Sequence, residues 1–314
     1  MSALRVLVTG AGGFVGQNLV QRLFAHERFG GALLTLVDRQ VRCSRTRTEV
    51  IEGDLSDPTV LRQAVATQPD IIFHLAAVPG GAAEADPQLS RRVNLEATLN
   101  LIEAAAALPT PPRFVYSSSI AVFGMPLPAL VDDGTPTKPT LTYGAHKLMA
   151  EIALADAARR SGLQAVALRL PGIVARPPSA AGFRSAFLSD LFWALSDSHA
   201  VEIPVSPSAT TWLMSARCCA DNLIHAARTT LAPHDPIAIT LPALRVTISD
   251  LVSAVARASG ANASLVRYAP DAELEAQFAH YPPLTTAAAE RLGFRHDGDL
   301  DALVANVFAA GEQQ

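Results

Sequence analysis

Near the start of the chain lies the run Arg5-Val6-Leu7-Val8-Thr9-Gly10-Ala11-Gly12-Gly13-Phe14-Val15-Gly16, in which an apolar segment meets a cluster of glycines. The glycines at positions 10, 13 and 16 have the spacing of a loop that turns tightly, lets a pyrophosphate approach the backbone and lets a helix pack closely on a strand. A helical pattern follows from Phe14 to His26, and its positive N-terminal end would face the phosphates. The run predicts a strand, a phosphate-binding loop and a helix.

The next apolar run, residues 33–37, ends at Asp38, which follows the last of these glycines by about 20 residues. A carboxylate at this place accepts hydrogen bonds from the ribose hydroxyls of a dinucleotide and repels a 2′-phosphate, which favours NAD over NADP. Arg39 leaves the alternative open, because a guanidinium beside the ribose could pair with that phosphate.

Composition limits the classes of partner. The chain has 314 residues, of which 49% are apolar, enough for one large domain or two joined domains with a substantial core. A formal charge of -4 argues against nucleic-acid and anionic-membrane partners.

The first residues lack a basic and then apolar signal pattern, and no apolar run of about 18 residues occurs, so we expect a cytoplasmic protein. The cysteines at 43, 218 and 219 lack metal-ligand spacing, so we expect reduced thiols and no metal site.

Strand-like runs alternate with helical patterns as far as residue 170. This alternation predicts an α/β fold with a doubly wound parallel sheet of the Rossmann type. We therefore expect residues 1–170 to form a dinucleotide-binding domain, joined by a returning strand near 237–241. Proline clusters separate shorter helices after that point, so residues 171–314 are expected to form mainly a smaller, substrate-binding domain.

Several polar residues near the predicted strand ends have two interpretations. Asp54 either hydrogen-bonds an adenine edge or is a turn acid. Asn94, within a long helix predicted for residues 87–108, either holds a backbone carbonyl or water beside the site or is a satisfied core amide. His74 lies in a buried run and is expected to be a core histidine rather than a catalyst. The small Ala76 and Ala77 after that run would let a flat cofactor pass close by.

Tyr143 and Lys147 are the candidate catalytic residues. Their spacing of four places both on one face of a helix, and Lys147 is one of only two lysines in the chain. A tyrosine is a poor base at neutral pH, but an ammonium about 4 Å away favours its phenolate by roughly 4 kcal/mol at an effective dielectric constant near 20. An oxidised nicotinamide adds positive charge, so the phenolate can take a hydroxyl proton. The spacing alone is also compatible with an ordinary helix start.

These motifs together resemble the extended short-chain dehydrogenases/reductases, the NAD-dependent epimerase/dehydratase family. The resemblance spans the first half of the chain in the right order. Its motifs are Thr9-Gly10-Ala11-Gly12-Gly13-Phe14-Val15-Gly16, Asp38, Gly53-Asp54-Leu55, His74-Leu75-Ala76-Ala77, Tyr116-Ser117-Ser118-Ser119 and Tyr143-Gly144-Ala145-His146-Lys147.

The resemblance implies a role for each residue of the site. Ser119 would orient the substrate hydroxyl, with Ser118 as its close competitor, while Tyr143 would be the general base and Lys147 its electrostatic partner. The predicted cofactor contacts are Gly10, Gly13, Phe14, Val15, Gly16, Asp38, Asp54, Leu55, Leu75, Ala76, Ala77, Asn94, Ser117, Tyr143, Lys147, Pro171 and Ile173.

Residues 168–177, 204–207, 212–215 and 221–223 are similar to sugar-acid dehydrogenases of this family, which implies oxidation at C2 of a small aldonic acid. Its carboxylate needs a cation, for which Arg176 and Arg184 are the candidates. Trp212 and Ser215 are further candidates for the substrate site, although Trp212 also fits core packing.

Two other functions stay open. A nucleotide-sugar 4-epimerase with tightly bound NAD is the first, and a non-catalytic NAD sensor is the second. The segment after Arg169 lacks the asparagine typical of epimerases of nucleotide sugars, and Ile-Ala follows Ser119 where dehydratases of the family have Asp-Glu. A sensor would not need Ser119, Tyr143 and Lys147. The resemblance also implies a homodimer, formed by the helix that ends near Leu108 and the helix after Tyr143.

Overall fold

The computed structural model describes residues 3–178, 186–232 and 235–311. These residues form two compact units. The first unit takes the chain up to Val122 and adds Pro139–Arg169 and Ala220–Ile239; the second takes Phe123–Lys138, Leu170–Cys219 and the chain from Thr240 onward. Among the described residues, no helix is both long and apolar enough to cross a membrane.

The strands and helices are numbered in chain order. The strands are β1 (Arg5–Thr9), β2 (Leu33–Asp38), β3 (Thr48–Glu52), β4 (Ile71–His74), β5 (Arg113–Ser119), β6 (Gln164–Leu170), β7 (Gly172–Val174), β8 (Val201–Ile203), β9 (Thr210–Ser215), β10 (Ala238–Thr240), β11 (Leu244–Thr247) and β12 (Val266–Tyr268). The α-helices are α1 (Phe14–Ala25), α2 (Pro58–Ala66), α3 (Gly80–Ala85), α4 (Pro87–Ser90), α5 (Ala97–Ala106), α6 (Thr142–Ser161), α7 (Phe187–Ser196), α8 (Ala216–Ala226), α9 (Ile248–Ser259), α10 (Ala272–Phe278), α11 (Ala287–Arg291) and α12 (Leu300–Gly311).

The first unit is built on a seven-stranded parallel sheet with the order β10-β6-β5-β4-β1-β2-β3. The strand order reverses between β1 and β4, where Thr9 pairs with His74, and His74 in turn pairs with Tyr116 on β5. In a doubly wound sheet, ligands bind beyond the carboxyl ends of the strands at this point of reversal. The α/β class and the doubly wound sheet predicted from the sequence are confirmed.

Apolar side chains explain why the sheet forms. Leu7, Ile72 and Phe114 on neighbouring strands are fully buried and belong to one apolar cluster with Leu101 of α5 and Leu154 of α6. Strands buried on both faces have near-continuous apolar sequences, as β1 and β4 do. The core therefore fixes α5 and α6 against the central strands, next to the carboxyl end of β5.

Two segments lie outside the division expected at residue 170, which added only a returning strand near 237–241 to the first unit. Residues 220–239 return to the first unit, where Arg113 donates to the carbonyl of Ala226 at 2.8 Å and Arg22 pairs with Asp221 at 2.6 Å. Residues 123–138 belong to the second unit, where the backbone N–H of Ala288 donates to Asp133 at 2.8 Å. Such long-range polar contacts leave no local pattern in the sequence.

The second unit has its own sheets and core. One sheet has the order β11-β9-β7 and the other pairs β12 with β8. Its apolar cluster is centred on α7 and α9, with Leu191, Phe192, Leu251 and Val255 buried among others.

The structure corrects two local predictions near β4. The single helix expected over residues 87–108 is instead α4, a π-helical segment (Arg91–Glu96) and α5. The small residues of segment 78–83 predict a loop that faces a ligand. The segment instead contains the start of α3, which Pro79 precedes and an alanine-rich sequence continues. A π turn changes the hydrogen-bond pattern but not the composition of a helix, so the apolar periodicity did not reveal it.

Gly10 provides a test of the turn after β1. Its φ is +74°, and a Cβ atom there would lie 2.5 Å from the backbone nitrogen of Ala76. We expect Gly10→Ala to lower the free energy of unfolding by about 2 kcal/mol or more, because it combines backbone strain with overlap. The measurement is urea denaturation of both proteins. Gly31→Ala is the matched control, since a Cβ at Gly31 would meet nothing within 4 Å. Equal loss of stability in the two variants would contradict this account.

Candidate active site

Helix α6 begins beside the carboxyl end of β5. A Cβ at Gly144 would lie 2.3 Å from the carbonyl oxygen of Ala121, so only glycine allows this close packing. The backbone N–H of Thr142 donates to Glu84 of α3 at 2.5 Å, which fixes the first turn. The spacing of four then places Tyr143, Lys147 and also Glu151 along one face of the helix.

Lys147 is buried, with only 1% of its surface exposed. Its Nζ donates to the carbonyl of Ser117 at 2.6 Å and lies 4.7 Å from the centre of the Tyr116 ring. The centre of the Tyr143 ring is 5.6 Å from the same nitrogen. Burial lowers the pKa of Lys147 to about 7, while the charge of Glu151 acts in the opposite direction. The positive charge of Lys147 is therefore not permanent, as the sequence analysis assumes, but depends on the neighbouring groups.

The three serines at the end of β5 have different partners. Ser117 Oγ donates to the carbonyl of His74 at 3.1 Å, and Ser118 Oγ donates to Glu151 at 2.5 Å. Both are buried. Ser119 is half-buried, and its Oγ accepts a hydrogen bond from the backbone N–H of Ala121 at 3.1 Å.

Glu151 and Arg169 form a buried ion pair that the sequence analysis did not single out. Glu151 is 4% exposed, and the Nη2 and Nε atoms of Arg169 lie 2.8 and 3.0 Å from its two carboxylate oxygens. Such a fork-like contact adds geometric specificity to the attraction between the charges. The sequence does contain a signal for Glu151, because it follows Lys147 by four residues, as Lys147 follows Tyr143.

His74 lies in a buried polar network. Its Nε2 is 2.8 Å from the hydroxyl of Thr98, and its Nδ1 is 2.6 Å from the hydroxyl of Thr9. Thr98 donates its proton to the carbonyl of Asn94 at 2.9 Å, so it accepts from His74 Nε2–H. This assigns a neutral ring in which Nδ1 accepts from Thr9. The sequence-based interpretation of His74 as a core histidine fits this network.

Asn94 holds the backbone that follows β4. Its Oδ1 accepts from the N–H of Val78 at 2.6 Å and its Nδ2 donates to the carbonyl of the same residue at 2.9 Å. Nδ2 also donates to Ser90, whose hydroxyl lies 2.9 Å from Nδ1 of His146 on α6. The buried amide thus links the segment after β4 to the π-helical segment and to α6, and a backbone carbonyl is one of its partners.

The glycine loop fits a dinucleotide. The N–H of Gly12 donates to Asp38 Oδ2 at 3.0 Å, while Oδ1 accepts from the N–H of Arg39 at 2.7 Å. A Cβ at Gly16 would lie 2.0 Å from the carbonyl of Gly10, so the loop has no room for larger residues. Helix α1 begins after Gly13 without a side-chain cap and with no acidic residue in its first turn. Its positive end therefore suits a pyrophosphate.

The remaining candidates for cofactor binding differ in exposure. Asp54 is exposed and accepts from the backbone N–H and the hydroxyl of Ser56, each at 2.8 Å, as a turn acid does. Leu55 is buried in the core of the first unit. Phe14, Val15, Leu75, Ala76 and Ala77 are half-buried around the ends of β1 and β4.

Pro171, Ile173, Arg176, Trp212 and Ser215 belong to the second unit, whereas the substrate candidates Ser118, Ser119 and Tyr143 belong to the first. Arg184 lies outside the described residues. Arg176 is half-buried, with its carbonyl accepting from the indole of Trp193 at 2.7 Å. Trp212 is fully buried and donates to the carbonyl of Pro282 at 2.8 Å, which fits its core interpretation. Ser215 is also buried, and its hydroxyl donates to Asp297 at 2.5 Å.

Comparison with known proteins identifies the family. Residues 6–211 match the family model described as the NAD dependent epimerase/dehydratase family. The chain belongs to this family. It is therefore an NAD-dependent oxidoreductase, with NAD as the cofactor that the glycine loop and Asp38 predict.

Individual relatives cover nearly the whole chain. A D-erythronate dehydrogenase of Cupriavidus necator is 35% identical over 96% of this chain and 97% of its own length. A D-erythronate dehydrogenase of Haemophilus influenzae is 30% identical over 96% of this chain and 98% of its own length. A crystal structure of a nucleoside-diphosphate-sugar epimerase from Agrobacterium tumefaciens superposes with a TM-score of 0.89 at 30% identity, covering 97% of this chain and 93% of that one.

The neutral state of His74 predicts a pH dependence of stability. Burial, together with the charge of Lys147, lowers the pKa of His74 from 6.5 to about 3. The unfolded chain therefore binds a proton below pH 6.5 that the folded chain does not bind until pH 3. Stability is retained above this window and falls with falling pH inside it, by up to about 1.4 kcal/mol per pH unit.

We expect His74→Gln to remove this part of the slope, because glutamine can donate and accept but does not titrate. Urea unfolding from pH 7 to pH 4 measures it. The exposed His199→Gln is the control and should keep the slope of the original chain. An unchanged slope in His74→Gln would show that the ring does not set the dependence.

Proposed function

We propose that this chain oxidises a secondary hydroxyl of a small sugar acid, at C2 of a D-erythronate-like aldonic acid, with NAD as electron acceptor. The observation that carries the catalytic part is the buried Lys147 beside Tyr143, next to a half-buried Ser119 at the end of β5. The substrate class rests on two D-erythronate dehydrogenases that match the chain over nearly its full length.

In this mechanism the chain's own residues handle the proton. Ser119 orients the substrate hydroxyl, since Ser118 already donates to Glu151. The phenolate of Tyr143 takes the hydroxyl proton, and the ammonium of Lys147 stabilises that phenolate before the transfer. When bound, NAD accepts the hydrogen and two electrons of the C–H bond, so the alcohol becomes a ketone.

The residues that hold the cofactor in this proposal follow from the first unit. The backbone N–H groups where α1 begins donate hydrogen bonds to the pyrophosphate, and the carboxylate of Asp38 accepts hydrogen bonds from the ribose hydroxyls. Asn94 acts indirectly, by fixing the backbone of Val78 after β4. Arg176 or Arg184 supplies the cation that the carboxylate of a sugar acid requires.

A nucleotide-sugar epimerase is the second candidate. It is favoured by the likeness to the Agrobacterium tumefaciens epimerase structure, at 30% identity over 97% of this chain. In that reaction the electrons return to the same substrate and no NADH accumulates. The two functions share the roles of Tyr143 and Lys147 and differ only in the fate of the reduced cofactor.

The absorbance of NADH at 340 nm separates these functions. With a panel of four- to six-carbon aldonic acids and UDP-sugars, we expect NADH to appear with an aldonic acid only. We expect Tyr143→Phe to lower kcat by at least about 1000-fold and to change the affinity for NAD little, because only the proton acceptor is removed.

Tyr268→Phe is the matched control, since it makes the same change on β12 of the second unit, outside the proposed site. It should keep the original kcat. Isomerised UDP-sugar without NADH would favour the epimerase, and full turnover in Tyr143→Phe would remove Tyr143 from the mechanism. Failure of the whole panel with intact NAD binding would favour the sensor.

We also propose a homodimer through α6. Met149 and Ile152 are 50% and 62% exposed on the outer face of this helix, which is unusual for large apolar side chains. Helix α5 packs beside α6 in the same unit, so the two helices can present one continuous surface to a second copy.

Light scattering coupled to gel filtration tests the dimer. We expect the mass of two chains for the original protein and of one chain for Ile152→Glu, because a charge at the centre of an apolar interface cannot be solvated. Leu130→Glu is the control, since Leu130 is exposed to a similar degree but belongs to the second unit. A monomeric original protein would reject the proposal.

A further inference from the structure

We propose that Glu151 is a positioning residue of the reaction: held by Ser118 and Arg169, its carboxylate keeps the buried ammonium of Lys147 charged at the pH at which the enzyme works. This inference rests on the proposed catalytic role of Tyr143 and Lys147. It assigns a part in the chemistry to Glu151, a buried side chain.

Glu151 lies one helical turn beyond Lys147 and is firmly held. Its Oε1 accepts from Ser118 at 2.5 Å and from Arg169 Nε at 3.0 Å, and its Oε2 accepts from Arg169 Nη2 at 2.8 Å. Three hydrogen bonds to one carboxylate fix its orientation. The donors, Ser118 and Arg169, lie on β5 and β6, so they fix the position of the carboxylate relative to the sheet.

The same contacts bind α6 to the end of β5. Ser118 donates to Glu151, and the carbonyl of the preceding Ser117 accepts from Lys147 at 2.6 Å. Two successive residues of the strand are thus held by two successive turns of the helix. Ser119 follows immediately, so its position relative to Tyr143 depends on these bonds.

Among the described residues, Glu151 is the acid whose charge acts on Lys147. The other titratable groups around the ammonium are His74 on β4, Tyr116 on β5 and Tyr143 on α6. His74 is neutral, and burial raises the pKa of Tyr116 well above its ordinary value, so its phenol is neutral too. Burial alone favours the amine form of Lys147. The carboxylate is the group that opposes this loss of charge.

The chain offers a direct measurement because it has only two lysines, Lys138 and Lys147. Protein labelled with 13C at the lysine Cε gives two signals, each of which reports the charge of its own side chain as pH changes. Lys147→Met assigns the signals, and the exposed Lys138 serves as an internal reference. The measurement does not require turnover.

We expect Glu151→Gln to lower the pKa of Lys147 by at least about one unit, since a carboxylate one helical turn away is removed while the shape of the side chain is kept. The high-pH limit of kcat/KM should move down by the same amount. Glu151→Asp keeps the charge and should restore most of the original titration. Glu103→Gln, an exposed substitution on α5 with the same change in net charge, should leave it unchanged.

If Glu151→Gln does not fold, because it removes the carboxylate that Arg169 contacts, the double variant Glu151→Met, Arg169→Met removes both charges. It should show a smaller fall in the pKa of Lys147 than Glu151→Gln does, because the repulsive charge of Arg169 is removed together with the attractive charge of Glu151. A Lys147 signal that titrates in either variant as it does in the original chain overturns the inference, even if Tyr143 proves essential. A shifted Lys147 signal with unchanged activity would show that Glu151 keeps Lys147 charged, but it would reject the proposed role of Lys147 in the reaction and with it the role of Glu151 as a positioning residue.

Discussion

The buried ammonium of Lys147 is the interaction on which the candidate site depends. Taking a lysine out of water favours its neutral form, and burial brings the pKa of this side chain down to about 7. The protein compensates with one short hydrogen bond to Ser117, the face of the Tyr116 ring and the carboxylate of Glu151. Each of these groups is supplied by β5 or α6, so the chemistry requires that strand and helix stay in one register.

That register is set by packing as well as by charge. Gly144 lets α6 begin in contact with Ala121, one turn before Lys147. The Glu151–Arg169 pair then closes the other side, between α6 and β6. Burying a charge pair costs more desolvation than an apolar contact of the same size, so the pair is weak evidence of net stabilisation.

Local patterns were enough to predict the glycine loop, the order of strands through β6, and the placement of Tyr143 and Lys147 on one helical face. They were not enough for Glu151, because a carboxylate at helical spacing from a lysine is most often solvated, and its partner Arg169 lies on another element. The π-helical segment around Asn94 changes hydrogen bonding without changing composition. The return of residues 220–239 to the first unit depends on Arg22 and Arg113, whose partners are far away in sequence.

The location of these groups also bears on the choice between oxidation and epimerisation. Ser119, Tyr143, Lys147 and Glu151 all belong to the first unit. In the proposed mechanism they serve the transfer of a proton, which both reactions require. They cannot decide whether the reduced cofactor returns its electrons to the same substrate. That outcome depends on how the oxidised product is held and released, and therefore on residues that recognise the substrate itself. A cation for a carboxylate, such as Arg176, is the kind of difference that would separate a sugar acid from a nucleotide sugar on otherwise shared machinery.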